Sequence, residues 1–155
     1  SIVTQSFSKS HAMTGFRVGY AITSKNIIEK MVKLEALCLT NVSEPIQYVA
    51  MKAIEADTSN NSEIVQKRLD MLSEKAKEIG LEFIIPDGAM YIFAKINQKD
   101  FDGGEFANNL LEKGIAVAPG EGFGNYKNFI RISACQEEKI LMEGMHILGN
   151  IMRDT

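Results

Sequence analysis

Apolar residues recur along the chain in two rhythms. Val65, Leu69, Leu72, Ala76 and Ile79 follow one another at spacings of three and four, which gathers side chains on one face of an α-helix. That pattern predicts a long helix over residues 62–79, stopped by Gly80. Ile27, Met31, Leu34 and Cys38 predict another, with Ser24 as its cap. The Asn41–Pro45 stretch ends that helix, and Pro45 suits the first turn of the next. Ile46, Val49, Ala50, Ala53 and Ile54 would form its buried stripe. Phe106, Ala107, Leu110 and Leu111 predict a helix ending at Gly114, and Leu141, Met145, Leu148 and Met152 a last one over 137–152. Short apolar runs at 2–7, 18–22, 81–85, 90–96, 115–118 and 129–133 read as strands, the first of them buried. Pro86-Asp87-Gly88 is a turn that would make the third and fourth neighbours or a hairpin.

From Leu81 onward the order is strand, strand, helix, strand, strand, helix. This predicts an α/β fold with an α+β-like small domain, its helices packed on a small mixed sheet. The polar stretch Asp57–Ser62 reads as a linker, which divides the chain into residues 1–60 and 61–155. The second portion has enough elements to bury one another and fold alone. Residues 1–25 would be strands with exposed edges.

Composition narrows the classes. The 155 residues are 45% hydrophobic and 24% charged, with a net charge of −3 from 20 acidic and 17 basic side chains. That is an ordinary globular profile and does not point to a basic face for nucleic acid, although a local patch is compatible with a mildly acidic total. No apolar run approaches the roughly 20 residues that cross a bilayer, and no leader segment is visible. Cys38 and Cys135 make neither a disulfide framework nor a metal site. Both read as buried free thiols of a reducing compartment, which points to the cytoplasm.

The segment Ser6-Phe7-Ser8-Lys9 ends the first strand, and Arg17 follows eight residues after the lysine. Two hydroxyls and a guanidinium satisfy phosphate oxygens. A lysine held near an arginine and away from water loses proton affinity and becomes an amine nucleophile toward an aldehyde. Spacing alone is equally compatible with a solvated loop. Arg131 sits in Phe129-Ile130-Arg131-Ile132. It is either a surface arginine at a strand edge or a cation whose apolar setting requires a partner.

The whole string Ser6-Phe7-Ser8-Lys9-Ser10-His11-Ala12-Met13-Thr14-Gly15-Phe16-Arg17-Val18-Gly19-Tyr20 resembles the lysine segment of class I/II pyridoxal-phosphate-dependent aminotransferases, enzymes of fold type I. Three further stretches are similar to that family in order and character: Pro86-Asp87-Gly88-Ala89-Met90-Tyr91-Ile92-Phe93, Gly114-Ile115-Ala116-Val117-Ala118-Pro119-Gly120 with Phe123-Gly124, and Phe129-Ile130-Arg131-Ile132-Ser133. The likeness runs over essentially the whole chain.

The resemblance implies pyridoxal 5'-phosphate as cofactor, held by Lys9 as a Schiff base (the internal aldimine), with Ser6, Ser8 and Arg17 on its phosphate. It implies that Lys9 moves the proton of the substrate's α-carbon and that Arg131 grips the substrate α-carboxylate. It makes residues 1–60 the end of a large cofactor-binding domain with connecting helices, and 61–155 a small C-terminal domain. The family's ring-binding residues precede its lysine, and no aspartate precedes Lys9 here. The chain is therefore expected to be a C-terminal portion, inactive alone, of a homodimeric enzyme moving an amino group between an amino acid and a 2-oxo acid. Two alternatives share these motifs: a sister enzyme of the same fold (a C–S lyase or an aminocyclopropane-carboxylate synthase), and a noncatalytic interaction domain descended from one. Gly15 and Gly19 read as structural and His11 as packing beside the loop. Tyr91 either faces the site or packs. His146 reads as solvated, and the methionines of the last helix as core.

Overall fold

In the computed structural model, residues 1–98 and 101–154 are described. The chain divides into two compact units, residues 1–62 and 63–155.

The first unit opens with a two-stranded antiparallel ribbon, β1 (Val3–Ser6) against β2 (Gly19–Ile22), in the register Val3↔Ile22 to Ser6↔Gly19. Gly19 is required there, because a Cβ at that position would lie 2.5 Å from the carbonyl oxygen of Gln5. Every residue of β1 is exposed, contrary to the buried strand expected. Only Ile2 and Val3 precede Phe7 as apolar residues, with Thr4, Gln5 and Ser6 between, and both stand exposed.

α1 (Lys25–Cys38) and α2 (Glu44–Ile54) follow, with Pro45 in the first turn of α2. Both form as the periodicity predicts. The stripe on α1 is nevertheless uncovered: the helix has no buried residue, and Leu34 is 62% exposed. Of the α2 stripe only Ala50 is buried; Ile46 and Ala53 are partly covered, while Val49 and Ile54 are exposed. The small core of this unit is Phe7, Met13, Val18 and Ala50, backed by Val42, Ile46 and Ala53.

α3 (Ser59–Glu78) starts earlier than its apolar stripe. The Asp57 carboxylate accepts the Ser59 backbone N–H at 2.9 Å, and the Thr58 carbonyl accepts the first helical N–H groups, from Asn61 and Ser62, so the polar stretch expected as a linker becomes the start of a helix. That bond holds the Asp57 carboxyl below its usual range. The helix ends in a Schellman turn: Leu81 N–H donates to the Ala76 carbonyl and Gly80 N–H to that of Lys77. α4 (Gly103–Glu112) closes in the same way at Gly114 and starts on Asp102, whose carboxylate accepts from Gly104 and Glu105.

The second unit holds a three-stranded antiparallel sheet in the order β3 (Tyr91–Lys95), β5 (Phe129–Ser133), β4 (Ala118–Pro119). The apolar run 81–85 forms no ladder: only Glu82 bridges, to Lys95, and Ile84 is 91% exposed. The strand expected over 115–118 shrinks to the two residues of β4, because only Ala118 and Pro119 pair with β5. Burial alternates along β3 and β5. Ile92, Ala94, Ile130 and Ile132 enter one core with Leu69 and Leu72 of α3, Leu110 of α4, and Met145 and Leu148 of α5 (Glu138–Asp154). The opposite face, with Tyr91, Phe93, Phe129 and Arg131, is only half covered.

Candidate functional site

Two groups of polar side chains stand out, one in each unit. In the first, a chain of hydrogen bonds ties the loop after β1 together. Ser6 Oγ accepts the Ser8 N–H at 3.1 Å and donates to Ser8 Oγ at 3.0 Å. Thr14 Oγ1 donates to the Ser8 carbonyl at 2.9 Å, and Arg17 Nη1 donates to the Thr14 carbonyl at 2.9 Å. Ser6, Ser8 and Arg17 are thus brought onto one loop, with Thr14 as the link. Thr14 was not singled out from sequence, since a threonine in a polar loop carries no periodic signal.

The loop is anchored from below. Phe7 is 2% exposed and packs with Met13 and Val18, while its carbonyl accepts the N–H groups of His11 and Met13. His11 lies edge-on to the Phe7 ring at 5.0 Å, the packing role expected of it, with Nδ1 2.8 Å from Ser10 Oγ. Two non-glycine residues of the loop, Ala12 and Arg17, sit at φ +52°, a left-handed conformation that costs on the order of 1 kcal/mol and persists only where surroundings enforce it. Anchoring below and strain above leave Lys9 exposed at the tip, while Ser6 and Arg17 are also open to solvent. No salt bridge involves Lys9 or Arg17 among the described residues.

In the second unit Arg131 lies in the middle of β5, opposite Phe93 of β3 and Ala118 of β4. Its guanidinium carbon stands 4.3 Å from the centroid of the Tyr91 ring and 4.5 Å from that of Phe123. No carboxylate pairs with it among the described residues. The partner required by its apolar neighbours is therefore a pair of aromatic faces. Tyr91 was legible in part: it stands two residues before Phe93, so strand alternation puts it on the Arg131 face. Phe123 had no such signal, because it lies in a glycine-rich turn, Gly120–Phe123. That turn lies close over β5, where a Cβ on Gly120 would come 2.3 Å from the Tyr126 carbonyl oxygen and 2.7 Å from Phe129 Cβ.

The remaining polar clusters are structural. Asn97 and Lys95 donate to the Glu82 carboxylate, and Lys67 Nζ donates to Glu138 at 2.8 Å. The Asn97 amide chiefly, with the Lys95 charge, holds the Glu82 carboxyl below its usual range, and the Lys67 ammonium does the same for Glu138. Cys38 and Cys135 are free, as expected, but both are exposed. Cys38 follows the uncovered stripe of α1. Cys135 lies just past the end of β5, its thiol 3.1 Å from the Met90 sulfur. His146 is exposed. No helix among the described residues is long and apolar enough to cross a membrane.

Comparison with known proteins places this arrangement in context. The family model described as aminotransferase class I and II matches residues 1–143. An aspartate aminotransferase of Thermococcus kodakarensis is 39% identical over 133 residues, 85% of this chain and 36% of that protein. A (5-formylfuran-3-yl)methyl phosphate transaminase of Methanocaldococcus jannaschii is 38% identical over 94% of this chain and 40% of its own length. Among solved structures, the aspartate aminotransferase of Thermotoga maritima superposes with a TM-score of 0.91 at 32% identity, covering 98% of this chain and 40% of that one. The chain therefore spans about two fifths of the length of the relatives it matches.

Proposed function

The chain belongs to the class I and II aminotransferases, and we propose that it carries the lysine, phosphate and carboxylate groups of a pyridoxal 5'-phosphate enzyme that moves an amino group from an amino acid to a 2-oxo acid. The single observation that best supports this reading is the Ser6–Ser8–Thr14–Arg17 hydrogen-bond chain with Lys9 at its tip. Two hydroxyls and a guanidinium on one anchored loop are the donor set a phosphate ester takes, and an exposed amine within that loop suits an aldehyde. These residues fit the cofactor.

Ser6, Ser8 and Arg17 would hold its phosphate and Lys9 its aldehyde carbon. When bound, the cofactor supplies an electron sink for charge developing at the substrate α-carbon. Lys9 would act as the base that moves the substrate's α-proton. Arg131 would hold the α-carboxylate through its planar fork of N–H donors. The whole protein is proposed to act as a homodimer in the cytoplasm. The free cysteines agree with a reducing compartment, and the apolar residues left open on α1 agree with further chain packing there. Residues 1–60 would then close a large domain and 61–155 form the small one.

Transamination by the whole protein tests the reading. Lys9→Ala is expected to abolish turnover, and Arg131→Ala to lower kcat/KM for the amino acid by about 100-fold or more, consistent with loss of a charged bidentate contact. Full turnover by Lys9→Ala would overturn it.

A further inference from the structure

Arg131 pairs with no carboxylate among the described residues, yet its setting is well defined. Its cation is half-buried, it has no hydrogen bond to any described residue, and it lies over two aromatic rings at 4.3 and 4.5 Å. Aromatic faces attract the positive charge without taking up its N–H groups, since a ring offers no lone pair in the guanidinium plane. A salt bridge with a neighbouring carboxylate would have occupied that fork. The rings restrict the long side chain while leaving its donors available, and restricting a rotamer-rich side chain before binding removes part of the entropy a ligand must otherwise overcome.

The rings are themselves held. Phe123 meets Phe93 edge-on at 5.8 Å, and Phe93 stacks on Phe129 at 4.9 Å. The turn that delivers Phe123 is pressed onto β5 at Gly120, where no side chain fits. Tyr91 is fixed by its pairing with Ser133.

We propose that Tyr91 and Phe123 are positioning residues that pre-orient the Arg131 guanidinium and keep its N–H fork free for a carboxylate. The proposal rests on the reading of Arg131 as the carboxylate seat. It also explains why lysine would not replace arginine there: an ammonium offers neither the planar face nor the fork.

The test is NMR on the intact 155-residue chain, following the Arg131 Nε–Hε resonance during titration with pyruvate. In the parent chain the resonance is expected to be shifted upfield by the rings and to move saturably with pyruvate. Tyr91→Leu and Phe123→Leu should each remove part of the upfield shift and weaken pyruvate binding about fivefold, with the methyl signals of Ile130 and Ile132 unchanged as a control for folding. Tyr91→Phe and Phe123→Tyr, which keep a ring, should restore both. An unshifted Arg131 resonance, or leucine variants that bind pyruvate as tightly as the parent chain, would overturn the positioning role. An upfield-shifted Arg131 that ignores pyruvate would overturn the carboxylate reading beneath it, so the two failures are told apart.

Discussion

The two units of the chain use similar apolar content to different ends. Among the described residues of the second unit, sixteen buried side chains join in one cluster, thirteen of them from α3, α4, α5 and both long strands of the sheet. Among the described residues of the first unit only Phe7, Met13, Val18 and Ala50 are buried together, although Leu34, Leu37, Leu39, Tyr48, Met51 and Ile54 are each more than half exposed. The second unit closes its own core. The first is organised around one loop and leaves its helices open. Phe7 belongs to the buried cluster of the first unit, and Arg131 sits between Ile130 and Ile132, which enter the core of the second, so each proposed binding group adjoins the best-packed part of its own unit.

This contrast predicts different behaviour in isolation, and the largest effect should appear there. A piece covering residues 57–155 retains the Asp57–Ser59 bond at the start of α3 and the whole cluster; it is expected to unfold cooperatively in urea. A piece covering residues 1–56 is expected to show no cooperative transition, because four buried side chains do not offset the chain entropy of that length. Circular dichroism across a urea series reads both. A sharp transition in the 1–56 piece and none in the 57–155 piece would reverse the comparison.

The next effect is confined to single side chains. Leu72 is fully buried and Leu37 is 84% exposed. Leu72→Ala is expected to destabilise the chain by about 3 kcal/mol through lost burial and the cavity left behind. Leu37→Ala is expected to stay within about 0.5 kcal/mol. Equal urea midpoints for the two variants would contradict the assignment of the core.

The smallest effect is a surface pair. Lys67 donates to Glu138 at 2.8 Å and holds that carboxyl below its ordinary value of 4.5. A carboxyl depressed in the folded state contributes stability above its unfolded value, and the contribution is lost as pH falls through the folded one. Lys67→Met should therefore raise the Glu138 titration midpoint measured by carbon-13 NMR. Any difference in urea midpoint between the variant and the parent should disappear in acid. Identical Glu138 titrations would show that the pair is not formed.

How far the sequence was legible follows from what periodicity encodes. A 3.6-residue repeat says which side chains share a face, and α1, α2, α3 and α5 all form where it predicted. It does not say what covers that face, which is why Met31, Leu34 and Cys38 were expected inside and lie outside. Helix stops were legible because Gly80 and Gly114 meet a specific backbone need, with φ of +84° and +83°. The run 81–85 was misread because apolar character alone does not make a ladder, and after Glu82 no partner strand is in register. At the loop, residue types pointed to Ser6, Ser8, Lys9 and Arg17, whereas the bonds through Thr14 depend on a backbone path that no pattern records. At Arg131 the need for a partner was legible and its aromatic nature was not, since Phe123 arrives from a turn whose course is set by Gly120.

The most direct test of the central claim is to incubate the purified chain with pyridoxal 5'-phosphate, reduce with borohydride, and locate the pyridoxyl group by peptide mass spectrometry. If the Ser6–Ser8–Thr14–Arg17 loop seats a phosphate beside an amine, the label concentrates on Lys9 and loses that preference in Arg17→Ala. A label spread evenly over the exposed lysines of the parent chain, or concentrated elsewhere than Lys9, would contradict the account.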